Sequence, residues 1–197
     1  MHWETLKKVA AFRRSAKGRK TEIWILMSPA MIARGVKGTN AIAFIQKVAR
    51  MYGDEDWKRI QAARWRDDIS ASDYRSEMVN LMRLRLEHDL GYQYTHHIPM
   101  RMPNAVDIYD MVFATNHWAG DNIMRYLYNR AAQREEGMMR QAKLAKRERV
   151  SEERGEVALF PVSELVVDEA KAGEILWQPT PTWDPQEHEW WHVEPDF

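Results

Sequence analysis

A chain of 197 residues, 45% hydrophobic and 29% charged, has room for one good core or two small domains, and this balance excludes disorder of the whole. The lack of cysteine excludes disulfides and thiolate metal sites and is compatible with a cytoplasmic location, and no apolar run approaches the ~20 residues of a membrane span. The formal net charge of zero is unevenly spread: residues 1–150 carry 27 basic against 17 acidic side chains, residues 151–197 twelve acidic against two basic. Such a division fits a phosphate-binding body that an acidic tail masks, and equally a solvated body with a flexible acidic end.

Along the chain, Trp3, Leu6, Val9, Ala10 and Phe12 predict an amphipathic helix over residues 3–14, with Lys7, Lys8, Arg13 and Arg14 opposite. The run TEIWILM at residues 21–27 is almost wholly apolar, as expected for a parallel strand covered on both faces in an α/β layer. Such a strand needs neighbours. They are expected from another polypeptide, or the fold is a reduced version, or the sequence is a truncated gene product.

Residues 41–52 predict a buried helix closed by Gly53, and residues 54–65 a second with Trp57, Ile60 and Ala63 inward. Ser70 and Asp73 match a capping box. The helix that follows, to Leu90, has Tyr74, Met78, Leu81, Met82 and Leu86 on one side, Arg75, Arg83 and Arg85 on the other, and Gly91 as its stop. Residues 92–102 alternate as a strand, Pro103-Asn104 makes a turn, and residues 106–115 read as a mostly buried strand. Asn116, His117 and Gly120 then break the pattern. Apolar spacing resumes at Ile123, Met124, Leu127 and Ala131 in a helix expected over residues 121–150, with Gly137 a place where it could break and a strongly basic second half. Three helices, a hairpin and a helix follow the order of a winged-helix module.

After Gly155, a short strand is expected at residues 157–160 and a brief helix at 163–172. From Gln178 four prolines and many carboxylates oppose regular structure. Trp177, Trp183, Trp190, Trp191 and Phe197 are costly to leave in water, so the tail is expected to dock on its own body or on a partner.

The run FATNHWAGDNIM at residues 113–124, preceded by IYDMV, resembles the C-terminal signature of the three-Cys-motif partner proteins, a bacterial and phage group. EIWILMSPAMIARG at 22–35 is similar to their strand-and-arginine segment, with Ser28, Pro29 and Arg34 at its turn and arginine, and VALF at 157–160 resembles their terminal hydrophobic motif. The resemblance covers roughly residues 1–160. It implies a methyltransferase-like Rossmann half followed by a winged-helix half, encoded beside a radical-SAM-like neighbour that carries the three cysteines. The family's glycine-rich loop and Asp-Pro-Phe-Gly segment are absent, and the nine glycines contain no G-x-G-x-x-G. No cofactor is therefore assigned.

For chemistry, HEWWH at residues 188–192 satisfies H-E-x-x-H, the spacing that lets two histidines on one helix face hold zinc. Pro185 and Pro195 flank it too closely for a long helix and no third ligand stands out, so a docking tail is the stronger reading and no metal is assigned. His96 and His97 face opposite sides of a strand and cannot chelate together. His117, at the turn, is a candidate to meet one of them, and capping or packing is the plainer role for all three. Candidates for nucleic acid are Arg75, Arg83 and Arg85 on the long helix and His97 and Arg101 on the wing.

The expectation is an α+β, mostly helical protein: a partial Rossmann-like segment (1–50), a winged-helix-like domain (51–150) and an acidic, Trp-rich tail (151–197). Its expected role is a non-catalytic or jointly catalytic component of a three-Cys-motif partner system that binds DNA, RNA or the companion protein, without a membrane partner. The alternative is a SAM-dependent methyltransferase fragment whose cofactor-binding half is missing or on another chain.

Overall fold

The computed structural model describes residues 2–15, 21–101, 107–154 and 173–197. The expected strand at 157–160, the brief helix at 163–172 and the Pro103-Asn104 turn lie outside them. The fold is α+β and mostly helical, with one small three-stranded antiparallel sheet. Its elements run α1 (Trp3–Ser15), β1 (Ile23–Met27), α2 (Pro29–Gly35), α3 (Ala41–Tyr52), α4 (Trp57–Trp65), α5 (Ala71–His88), β2 (Tyr94–Arg101), β3 (Asp107–Thr115) and α6 (Trp118–Glu153). Two short 3-10 turns, Pro185–Glu187 and Glu189–His192, follow. No helix among the described residues is long and apolar enough to cross a membrane.

The chain divides into two compact units. The first comprises Met1–Met100, Ile108–Asp121 and Thr180–Phe197 and holds the hydrophobic core. Trp57, Ile60 and Ala63 of α4 and Tyr74, Met78, Leu81, Met82 and Leu86 of α5 are buried there, on the faces their spacing predicts. α5 starts at a complete capping box: the Asp73 N–H donates to Ser70 Oγ and the Ser70 N–H to the Asp73 carboxylate, each at 3.1 Å. α3 stops at Gly53, whose φ of 85° is the left-handed conformation that glycine adopts without strain. In the second unit, Arg101–Asp107 and Asn122–Pro179, α6 holds the returning chain. The Asn129 Oδ1 accepts from the backbone N–H groups of Leu176 (2.8 Å) and Trp177 (3.0 Å), and the Trp177 ring meets Tyr128 edge-on at 5.1 Å. α6 runs through Gly137 without a break.

β1 differs from the expectation of a parallel strand covered on both faces. It lies at the edge of a sheet ordered β1-β3-β2 and pairs antiparallel with β3, Ile25 opposite Val112. Its burial alternates: Ile23, Ile25 and Met27 enter the core, while Trp24 and Leu26 are 48% and 57% exposed. All five residues of IWILM are apolar, so the period-2 signal that separates a half-covered strand from a fully covered one is missing from the sequence. The Trp24 ring recovers part of its apolar burial against Phe113, centroids 4.9 Å apart. Pro29 opens α2 at its first turn, where a missing N–H costs nothing.

Candidate functional site

The tail folds back on its own body along α4 and α5. The side-chain amide of Asn80 brackets Trp183 through two hydrogen bonds, its Nδ2 donating to the Trp183 carbonyl at 2.8 Å and its Oδ1 accepting from the Trp183 N–H at 3.1 Å. Thr182 Oγ1 donates to Glu87 at 2.6 Å. Arg59 donates to the Trp191 carbonyl at 3.0 Å and to Glu194 at 2.9 Å, Trp191 is buried, and the Phe197 ring lies 4.3 Å from that of Trp65. Backbone groups in a proline-rich segment that cannot form a ladder are thus satisfied by side chains from the helices.

Between this strap and the start of α5 lies a cavity of about 530 Å3, walled by Trp183 and Trp190 and by Asp73, Glu77, Glu187 and His188. Glu77 sits on the apolar stripe of α5, three residues after Tyr74 and four before Leu81, and is only 6% exposed. The Trp183 indole N–H lies 3.1 Å from both of its oxygens, and His188 Nε2 is 3.2 Å from Oε1. The His188 and Trp190 rings stack at 5.2 Å and 15°. Burial pushes the Glu77 carboxyl above its ordinary value and nearby Asp73 adds to the rise, while the Trp183 hydrogen bond and the field of His188 pull it back down. No lysine or arginine among the described residues pairs with it: the neighbouring Asp68 is taken by Arg66 at 2.8 Å and Asp73 by the Ser70 cap. A buried carboxylate held by an indole and an imidazole, beside aromatic faces, is suited to receiving a cation.

The structure corrects the arginine candidates. Arg83 is 2% exposed; its guanidinium donates to Thr95 Oγ1 (3.1 Å), the Thr95 carbonyl (3.0 Å) and the Thr180 carbonyl (2.6 Å). Arg75 pairs with the buried Asp110 at 2.6 Å, and Arg85 pairs with Asp54 and Asp89 while its guanidinium lies 4.6 Å from the centroid of the Trp3 ring. His97 approaches Asp110 at 3.5 Å and Arg101 pairs with Glu135 at 3.1 Å. At 100° per residue only Arg83 opposes the apolar stripe of α5, since Arg85 falls between Tyr74 and Met78 and Arg75 between Met82 and Leu86; the sheet, α3 and the strap take up all three guanidinium groups. The three α5 arginines use their charges within the fold, whereas Arg101 stays exposed and His97 partly exposed.

The turn residues are architectural as well. Asn116 Oδ1 accepts from the Gln93 N–H and its Nδ2 donates to the Gly91 carbonyl, both at 2.9 Å. His117 Nδ1 accepts from the Ala119 N–H at 3.0 Å and so caps α6. Gly120 lets the first turn of α6 pass close to Glu22 and Thr115, since a Cβ there would lie 2.4 Å from Glu22 Oε1 and 3.0 Å from Thr115 Oγ1. His96 and His97 do face opposite ways, His96 toward Asp121 and His97 toward Asp110. The HEWWH histidines do not converge: His188 turns to Glu77, and His192 Nε2 bonds to the Gln186 carbonyl at 3.0 Å. Among the described residues no group of three His, Asp or Glu is placed to hold a metal ion.

Of the tail tryptophans, Trp183 and Trp190 wall the cavity, Trp191 is buried in the first unit, and Trp177 packs on Tyr128 in the second. Glu77 escaped the sequence reading, although a carboxylate at an inward position of an amphipathic helix is itself a signal. No protein family, curated protein or solved structure matches the chain.

Proposed function

We propose that this chain is a binding component that takes a cationic side chain of a companion protein into the cavity beside Glu77. One observation carries the reading: a buried carboxylate with no lysine or arginine counter-ion among the described residues faces a cavity walled by two indoles. A guanidinium or ammonium supplies the missing charge and finds aromatic faces for cation–π contact, worth about 2 kcal/mol when desolvated. The same carboxylates repel phosphate, so at this site the geometry favours protein over nucleic acid.

The companion implied by the resemblance is the radical-SAM-like three-Cys-motif protein. The order α3, α4, α5 and the β2–β3 strands supports a winged-helix reading in which α5 serves packing and the cavity, not a nucleic-acid groove. The methyltransferase alternative draws no support from β1, because a Rossmann-like half requires parallel strands.

The test is calorimetric titration of the full chain with acetyl-arginine-amide and with its neutral isostere acetyl-citrulline-amide. Binding of the first alone, lost in Glu77→Gln, is the expected result. Equal binding of both, or of neither, would overturn the reading.

A further inference from the structure

We infer that the second half of α6 is a binding surface for the phosphate backbone of duplex nucleic acid, a second site independent of the cavity. From Arg140 onward, Lys143, Arg147 and Arg154 recur at three-, four- and seven-residue steps, which at 100° per residue places all four on one face of the helix, with Lys146 on its flank. All five side chains are exposed. The carboxylates of the same stretch lie elsewhere on the helix: Glu148 and Glu152 fall on the far side, and Glu153 pairs with Arg149 at 3.7 Å. An ordinary solvated helix intermixes its charges to form i,i+4 pairs; from Arg140 to Arg154 no carboxylate shares the basic face, the last acid on it being Glu136, one turn earlier.

At ~1.5 Å per residue the face extends about 21 Å, a length along which a duplex offers several phosphates, having one charge per ~1.7 Å of axis. The side chains carry charge without a rigid hydrogen-bonding frame, which suits backbone contact over base readout. These cations differ from the arginines of α5, whose charges are used within the fold.

The experiment is binding of the full chain to fluorescent 20-base-pair DNA and RNA duplexes over a salt series, wild type against Arg140→Glu/Lys143→Glu/Arg147→Glu. The expected result is salt-dependent binding to at least one duplex that falls at least tenfold in the triple variant, with the log–log salt slope smaller by about 2.5 to 3. The milder Arg140→Gln/Lys143→Gln/Arg147→Gln variant guards against misfolding and shifts the slope the same way. Glu77→Gln leaves duplex binding unchanged, which separates this site from the cavity. Absence of duplex binding, binding indifferent to both triple variants, or binding only to vesicles of anionic phospholipid would each overturn the inference.

Discussion

The Trp183 indole N–H reaches both oxygens of the Glu77 carboxylate at 3.1 Å, joining a residue of the C-terminal strap to one 106 positions earlier on α5. This bond places an aromatic wall over a buried acid and fixes where the strap crosses the helix. The cation binding proposed for this cavity depends on how that acid is charged.

Glu77 titrates higher in the folded protein than in the unfolded chain, where its value is near 4.5. The folded state therefore holds its proton more tightly, and the stability this gives is present below about pH 4.5 and lost as pH rises through the raised folded value. Glu77→Gln is expected to remove that decline and, above it, to be at least as stable as wild type by urea denaturation across pH 4 to 7. A variant destabilised equally at every pH would show that the carboxylate is needed only as an acceptor.

Arg83→Met leaves the carbonyls of Thr95 and Thr180 without their donor in a buried setting. A loss of about 3 kcal/mol is expected, from several hydrogen bonds to a charged group. If the variant remains folded, its nucleic-acid affinity should follow the same salt slope as wild type, because the guanidinium never faces solvent. A changed slope would restore Arg83 to the phosphate-binding set.

Gly53→Ala combines two costs: a positive φ of 85° and a Cβ that would sit 2.2 Å from Trp3 Cδ1. Trp3 is buried, with the Arg85 guanidinium 4.6 Å from its ring centroid, so it has little room to swing aside. Destabilisation of at least about 2 kcal/mol is expected by thermal or urea unfolding. Near-wild-type stability would mean that the α3–α4 turn accommodates a side chain.

Ser70→Ala removes one half of the capping box and is expected to cost about 1 kcal/mol, with the loss concentrated in hydrogen exchange at the first turn of α5. Uniform exchange along α5 would argue against a local cap.

The helices were legible where residues signal their ends: Ser70 and Asp73 announce α5, Gly53 closes α3, and the spacing of Met78, Leu81 and Met82 identifies the buried face. β1 was misread because five consecutive apolar residues carry no period, so its one-sided burial depends on pairing with β3 some 85 residues away. The three arginines of α5 do not share one side: the 100° step sets Arg75 and Arg85 among the apolar residues and only Arg83 opposite them, and partners that hold all three lie far along the chain. The cavity was half legible: the tryptophans of the tail announced docking, but the acid they meet belongs to a distant helix, and only the closed chain brings Glu77 beneath Trp183.

The most direct test of a cation-binding cavity is the indole N–H resonance of Trp183, assigned with a Trp183→Phe variant and followed by 15N-HSQC as acetyl-arginine-amide is added to the full chain at pH 7. The expected result is a saturable shift of that resonance, with Trp177 unmoved and the shift abolished in Glu77→Gln. A Trp183 signal that stays fixed at saturating ligand, or that moves identically with acetyl-citrulline-amide, would contradict the account.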